Sequence, residues 1–362
     1  MQYYNFCYNI VINSFYIILG EEIFLKNKSK KSKFTKIVMV LLALLIAIPI
    51  FTFYSFYNKL NTTTADGEDA YQSKYESVDG ITNILLLGTD GRQKELAFRS
   101  DCMMIATIDA NNKNIKLTSL ARDTYVDIPG KGKGKLNAAY FWGKENLTFQ
   151  TIEENLGIKL DKFIQVDFDD LMNIVYILGG VEVDVKKHEV DITSQYIVPS
   201  YEECSYPDKG DMELIKGPGK QVLNGYQAIA YTRIRYTDSA IHRDERQREV
   251  LLSMINSAKK MDFSKYPHLL NKILPYVSTN LSPSDIINIA FTAYNFKPLT
   301  VKQGQFPIID DVHVKGGSYK NAGWVWLYDL NSRQVLQDFI NKDIDMDKHE
   351  YLKDNSNIQL NY

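Results

Sequence analysis

Cysteine is scarce in this chain: Cys7, Cys102 and Cys204 are the only three among 362 residues. Three thiols do not make a disulfide framework. Cys102 lies in an apolar, strand-like run and reads as a small core residue, and no spacing supports a Cys102–Cys204 bridge. Histidine is equally sparse: the five residues are scattered, which excludes a Cys/His zinc pattern. Net charge is nearly absent, at −2, so no bulk attraction to an oppositely charged polymer is expected and the placement of charge carries the information. No internal repeat and no helix-turn-helix is visible. Apolar residues, by contrast, make up 45% of the chain and tyrosines number 24, ample for a packed core in one large domain or two ordinary ones.

The first residues divide by composition. Tyr8–Leu19 is apolar but short for a membrane span. Gly20-Glu21-Glu22 is what a purine-rich ribosome-binding sequence would encode, so translation is expected to begin near Leu25 from an alternative start codon; a native peptide covering Tyr8–Leu19 would overturn this. Lys26, Lys28, Lys30, Lys31, Lys33 and Lys36 then precede Ile37–Tyr57, an almost wholly apolar run interrupted at Pro49, Thr52 and Ser55. Roughly 20 apolar residues cross a bilayer, and lysines on one flank place that flank in the cytoplasm. The expected organisation is a basic cytoplasmic tail (1–36), an uncleaved transmembrane anchor (37–57), a polar linker (58–78), an extracytoplasmic domain (79–342) and a polar tail (343–362). A cleaved signal peptide is the rival reading, but no small-residue cleavage site stands out and the run is long for that role.

From Ile81 onward, strands and helices alternate. Ile84–Leu87, Cys102–Ile108, Ile115–Leu120, Phe163–Phe168, Val181–Val185 and Gln303–Ile309 read as strands. Lys135–Gly143, Thr148–Leu156, Leu171–Leu178 capped by Asp169, Gly225–Tyr231, Met254–Met261, Tyr266–Val277, the segment after Ser282-Pro283 and Asp329–Ile340 read as helices, and His188–Gly219 as an irregular excursion. The fold class is α/β: a single domain with a central mixed sheet flanked by helices on both faces, plus the N-terminal transmembrane helix.

Thr232–Arg248 (TRIRYTDSAIHRDERQR) gathers Arg233, Arg235, Arg243, Arg246 and Arg248. On a strand, Arg233 and Arg235 would share a face, and Arg243 onward has helical spacing with Val250, Leu251 and Met254 on the buried side. Guanidinium forks match phosphate oxygens, so such a cluster suits a multiply charged anion such as a pyrophosphate. The same segment also reads as a solvated face paired to Asp238, Asp244, Glu245 and Glu249. Asp90 and Asp101 sit at strand ends beside arginines. They read either as ligands of a hard divalent cation that also takes phosphate oxygens, or as a turn residue and a surface ion pair. Arg122, directly after a strand, reads as a further anion ligand or as an ion pair with Asp123.

Six ordered segments carry a resemblance: NILLLGTDGR (Asn83–Arg92), RSDCMMIATID (Arg99–Asp109), LARDTYVDIPG (Leu120–Gly130), KLNAAYFWG (Lys135–Gly143), the run Ile164–Val185, and LNGYQAIAYTRIRY with RDERQREVL (Leu223–Leu251). Together the chain resembles the LytR–CpsA–Psr family of bacterial cell-envelope proteins. The resemblance implies transfer of an anionic glycopolymer, of teichoic acid or capsular polysaccharide type, from a polyprenyl-pyrophosphate carrier to a peptidoglycan sugar hydroxyl, with Mg2+ as cofactor and no nucleic-acid partner. It implies that Asp90 and Asp101 ligate magnesium and that Arg122, Arg233, Arg235 and Arg243 clamp the pyrophosphate. Arg99, Arg246 and Gln247 are implied to support the site, with Lys135 as a further contact. The family pattern usually has aspartate three residues before the arginine matching Arg243, where this chain has Ala240; Asp238 is the nearby substitute as catalytic base. Ala121 and Cys102 stand where the family often has Pro and Thr. Two other functions stay open at this point: a polyprenyl-pyrophosphate phosphatase, and a non-catalytic lipid-pyrophosphate binder suggested by Ala240.

Overall fold

The computed structural model describes residues 71–90, 100–234, 240–310, 312–353 and 357–362. The expected membrane run 37–57 lies outside them; among the described residues no helix is long and apolar enough to cross a membrane.

At the centre is a six-stranded mixed sheet of β1 (Ile81–Thr89), β2 (Ser100–Asp109), β3 (Asn114–Leu120), β6 (Phe163–Asp167), β9 (Ser278–Thr279) and β10 (Thr300–Phe306), in the order β10-β3-β2-β1-β6-β9. β1 runs parallel to β6 and antiparallel to β2; β3 runs antiparallel to β2 and parallel to β10. β1, β3, β6 and β10 therefore all end at one edge, where β2 begins. Every residue of β3 is buried, and β2 is buried from Met103 to Asp109, because both faces of the sheet are covered.

One face is densely packed. Leu85, Leu87, Met103 and Ile105 meet Phe149 and Ile152 of α1 (Leu136–Leu156) and Val335, Leu336 and Phe339 of α8 (Arg333–Lys342). The opposite face is looser: Ala106, Ile108, Ile115 and Leu117 meet only partly buried Leu251, Leu252 and Ile255 of α5 (Ala240–Lys259) and Ile289 and Ala293 of α7 (Pro283–Tyr294). A further apolar cluster joins α2 (Phe168–Leu178), α3 (Val190–Glu203), α4 (Gly225–Thr232) and the β7–β8 ribbon (Val181–Val185, Gly219–Leu223). Two small hairpins, β4–β5 (Tyr125–Ile128, Gly132–Lys135) and β11–β12 (Val314–Ser318, Trp324–Tyr328), complete the sheet structure, and α6 (Tyr266–Ile273) has no buried residue.

The break between the two helices read at Lys135–Gly143 and Thr148–Leu156 is borne out, at Gly143-Lys144, where the backbone leaves helical angles, so α1 is two helical segments in succession. Several other sequence expectations are corrected here. Asp167, not Asp169, caps α2 by accepting from the Asp170 amide at 2.8 Å, while Asp169 accepts from Ser205. The segment read as irregular contains α3, whose buried Thr193, Ile197 and Ser200 form a stripe at helical spacing. Arg233 stands in helical geometry at the end of α4 rather than on a strand.

Candidate functional site

The sheet edge shared by four carboxyl ends is where open α/β sheets present ligand-binding groups. Its geometry begins with a bulge. Gly88 pairs with Cys102 and Thr89 with Ser100, leaving Asp101 as the additional residue on β2. A bulge re-aims side chains and frees a backbone group from the ladder. The Ser100 hydroxyl holds it by donating to the Cys102 carbonyl at 2.7 Å. Gly88 is required opposite: a Cβ there would lie 2.8 Å from the Cys102 Cβ.

Two arginines from distant segments meet at this bulge. Arg122 Nη1 donates to the Asp101 carboxylate at 2.5 Å, and Arg243 Nη2 donates to the Asp101 carbonyl at 2.8 Å. Arg122 is presented by a tight turn after β3, closed by the Thr124 amide donating to the Ala121 carbonyl at 3.0 Å. The start of α1 braces that turn, the Asn137 amide donating to the Arg122 carbonyl. Arg122 Nε also reaches Asp123 at 3.3 Å, and Lys135 donates to the other oxygen of Asp123 at 2.8 Å. Burial opposes the charge on Arg122, but Asp101 and Asp123 outweigh it and hold the guanidinium above its ordinary value.

Beneath Arg243 lies a polar layer that sequence reasoning left without a role. Arg248, one turn after Asp244 on α5, donates to Ser119 at 2.6 Å, Gln305 at 2.8 Å and Gln303 at 3.2 Å. Gln305 in turn donates to Asp244 at 3.3 Å. Burial pushes the Asp244 carboxyl up to about 6, against the pull of Arg243, Gln305, Arg248 and Arg122. Burial likewise draws Arg248 below its ordinary value. Arg243, Asp244, Arg246 and Arg248 are all buried, so this helix is not the solvated charged face that its sequence also allowed. The readable signals were the Asp244/Arg248 spacing on one helix face and the alternating Gln303 and Gln305 on one strand face.

The other sequence candidates divide. Arg233 bonds Glu203 at 2.9 Å and lies 5.5 Å from the centre of the Phe168 ring, just beyond the end of β6. Arg246 is enclosed, donating to Glu189 at 3.0 Å and to the Ile234 carbonyl at 3.1 Å, so it secures the chain entering the arginine stretch. Gln247 is half-buried one turn after Arg243, and Asp90 half-buried directly after β1. Arg99, Arg235 and Asp238 lie outside the described residues. Among the described residues no three His, Cys, Asp or Glu side chains form a metal cage. Asp90 and Asp101 supply hard oxygen donors, and burial pushes the neighbouring Cys102 thiol up to about 12, so no soft thiolate competes. That donor set fits magnesium, which uses few carboxylates and takes its remaining ligands from substrate phosphate and water.

Residues 50–339 match the LytR_cpsA_psr family. The chain belongs to the LytR–CpsA–Psr family. Relatives include the Bacillus subtilis polyisoprenyl-teichoic acid–peptidoglycan teichoic acid transferase TagT, 31% identical over 260 residues covering 70% of this chain and 74% of the relative. The Enterococcus faecalis TagU transferase is 34% identical over 216 residues, 58% of this chain and 64% of the relative. Among solved structures, TagT with bound octaprenyl pyrophosphate lipid has TM-score 0.55 at 26% identity, covering 77% of this chain and 98% of that one.

Proposed function

We propose that the chain transfers an anionic glycopolymer from a polyprenyl-pyrophosphate carrier to a sugar hydroxyl of peptidoglycan. The observation that carries this reading is the convergence of Arg122 and Arg243 on Asp101 at the sheet edge. The names of the relatives and the lipid bound in TagT support it. In this reading the lipid tail lies along the looser α5/α7 face, where apolar side chains are only partly buried. The pyrophosphate then lies over Asp101, with Arg122 and Arg243 neutralising its oxygens and Arg233 approaching from the β6 side. Asp90 and Asp101 would hold magnesium, which when bound supplies further neutralisation of phosphate charge. The acceptor oxygen attacks the polymer-side phosphorus, and the bond to the lipid-side bridging oxygen breaks. Polyprenyl phosphate leaves, a phosphodiester remains, and the hydroxyl proton passes to Asp238. Such transfers depend chiefly on positioning and charge neutralisation, which arginines fixed by ion pairs and hydrogen bonds at the sheet edge provide. Residues 37–57 anchor the domain to the outer side of the cell membrane in the same reading.

The test is transfer by the full chain in detergent, given lipid-linked polymer, peptidoglycan and magnesium. Label entering peptidoglycan with one polyprenyl phosphate released per linkage is the expected result. Phosphate release without acceptor would replace the reading by a hydrolase. Tight lipid binding without turnover, with transfer appearing in Ala240→Asp, would replace it by a binding protein.

A further inference from the structure

The β11–β12 hairpin stands against the turn that presents Arg122. The Trp326 amide donates to the Asp123 carbonyl at 2.9 Å, and Thr124 and Trp326 form a parallel bridge. In the register this bridge sets, the residue level with Arg122 is Trp324. Along β12 the alternate residues Tyr328, Trp326 and Trp324 share a face and pass from core to solvent. Tyr328 is buried against Phe306, Trp326 is half-buried, and Trp324 is 42% exposed. The two indoles meet edge to face with centroids 4.6 Å apart. Both rings lie over Gly316, where a Cβ would come within 2.8 Å of Trp326 and 2.9 Å of Trp324. A glycine under two tryptophans leaves one large ring propped in place and open to solvent. An exposed aromatic of this size on a rigid hairpin suits a flat, partly apolar ligand with polar edges.

We propose that Trp324, propped by Trp326 and Gly316, is the stacking platform for a pyranose ring of the acceptor glycan strand. The proposal rests on the transfer function above and assigns its second substrate a place. Sugar rings present a face of C–H groups to an aromatic ring while their hydroxyls stay hydrated. The direction of attack selects the acceptor over the donor. In-line displacement puts the attacking and leaving oxygens on opposite sides of the phosphorus. The loosely packed face that suits the leaving lipid phosphate is the α5/α7 face. The hairpin joins the opposite face, through Tyr328 in the dense core. A sugar stacked on Trp324 thus reaches the clamp from the attacking side.

The experiment uses the full chain in detergent with Trp142→Phe as background, which leaves Trp324 and Trp326 as the reporters among its three tryptophans. Titration with a peptide-stripped peptidoglycan hexasaccharide is expected to give a saturable change in emission that Trp324→Ala removes. Gly316→Val, which displaces the rings without deleting them, is expected to weaken it about ten-fold, the order of one lost aromatic contact. In steady state Trp324→Ala raises the acceptor KM about ten-fold with donor KM unchanged, and Trp324→Tyr recovers most of the loss. An unchanged acceptor KM in Trp324→Ala, or no saturable response of the parent chain to the glycan, overturns the platform. So does an emission response that requires Trp324 but appears only with anionic phospholipid vesicles. Because the titration needs no turnover, it decides the platform even if transfer fails, and failed transfer alone counts against the function.

Discussion

Asp244 offers a quantitative test of how the clamp is built. Its carboxyl is pushed from an ordinary 3.8 to about 6, mainly by burial, with Arg243, Gln305, Arg248 and Arg122 opposing. A raised carboxylate value means the native state holds the proton more tightly than the unfolded chain. The stability contributed by the neutral form is complete below the unfolded value near 4, falls as pH rises through 6, and is gone above it. A shift of about two units corresponds to about 3 kcal/mol. Asp244→Asn keeps the shape and stays neutral at every pH. The variant should therefore exceed the parent by only about 1 kcal/mol at pH 4.5 and by about 3 kcal/mol at pH 7.5. Urea unfolding of both chains at the two pH values, followed by far-ultraviolet circular dichroism, measures the gap. An equal gap at both pH values would refute the buried placement of this carboxyl. The two phosphates of a doubly substituted pyrophosphate keep their charge over this range, so donor binding should tighten in the parent as pH falls through 6. Asp244→Asn should lose that dependence.

Lys116 is wholly buried between Asp109 at 2.7 Å and Asp343 at 3.2 Å. Lys116→Ala leaves the buried Asp109 carboxylate without its cation, while Asp343 keeps Lys302 at 2.9 Å, and should cost about 3–5 kcal/mol in thermal or urea unfolding. Burial raises the Asp109 carboxyl, but hydrogen bonds from Lys116 and Asn112 outweigh it and hold the group below its usual value. Its contribution is therefore present above about pH 4 and is lost as pH falls through the native value, a loss that Lys116→Ala should abolish in acid titrations. Gly88→Ala should move the bulge and cost about 1–3 kcal/mol, with transfer falling more than stability at a permissive temperature. The Cys102 thiol, raised to about 12, should resist alkylation at pH 8.5 in the native chain and react once the chain is unfolded.

Much of the sheet was readable because strands buried on both faces are near-continuous apolar runs and their ends carry the charged motifs. Asp101, Arg122 and Arg243 were named from those motifs; their shared bulge was not, since a one-residue register change leaves no mark in composition. α3 was missed because its inner face is Thr193, Ile197 and Ser200, with Pro199 beside them, and not an apolar stripe. The hairpins were missed because strands of four or five residues rich in glycine, such as Gly132–Lys135 and Val314–Ser318, lack alternation. Arg248 and Asp244 looked solvated because charge on a helix usually is. Their burial depends on Ser119, Gln303 and Gln305, which only tertiary packing brings beneath them.

The most direct test of the account is transfer of lipid-linked polymer to peptidoglycan by Arg122→Ala, Arg243→Ala and the double variant, with folding checked by circular dichroism. Each single variant should lose at least about 100-fold in kcat, the scale of one lost charge-stabilising donor. The double variant should lose less than the product of the two, because both guanidiniums serve one pyrophosphate. Folded single variants that transfer at the parent rate would contradict it.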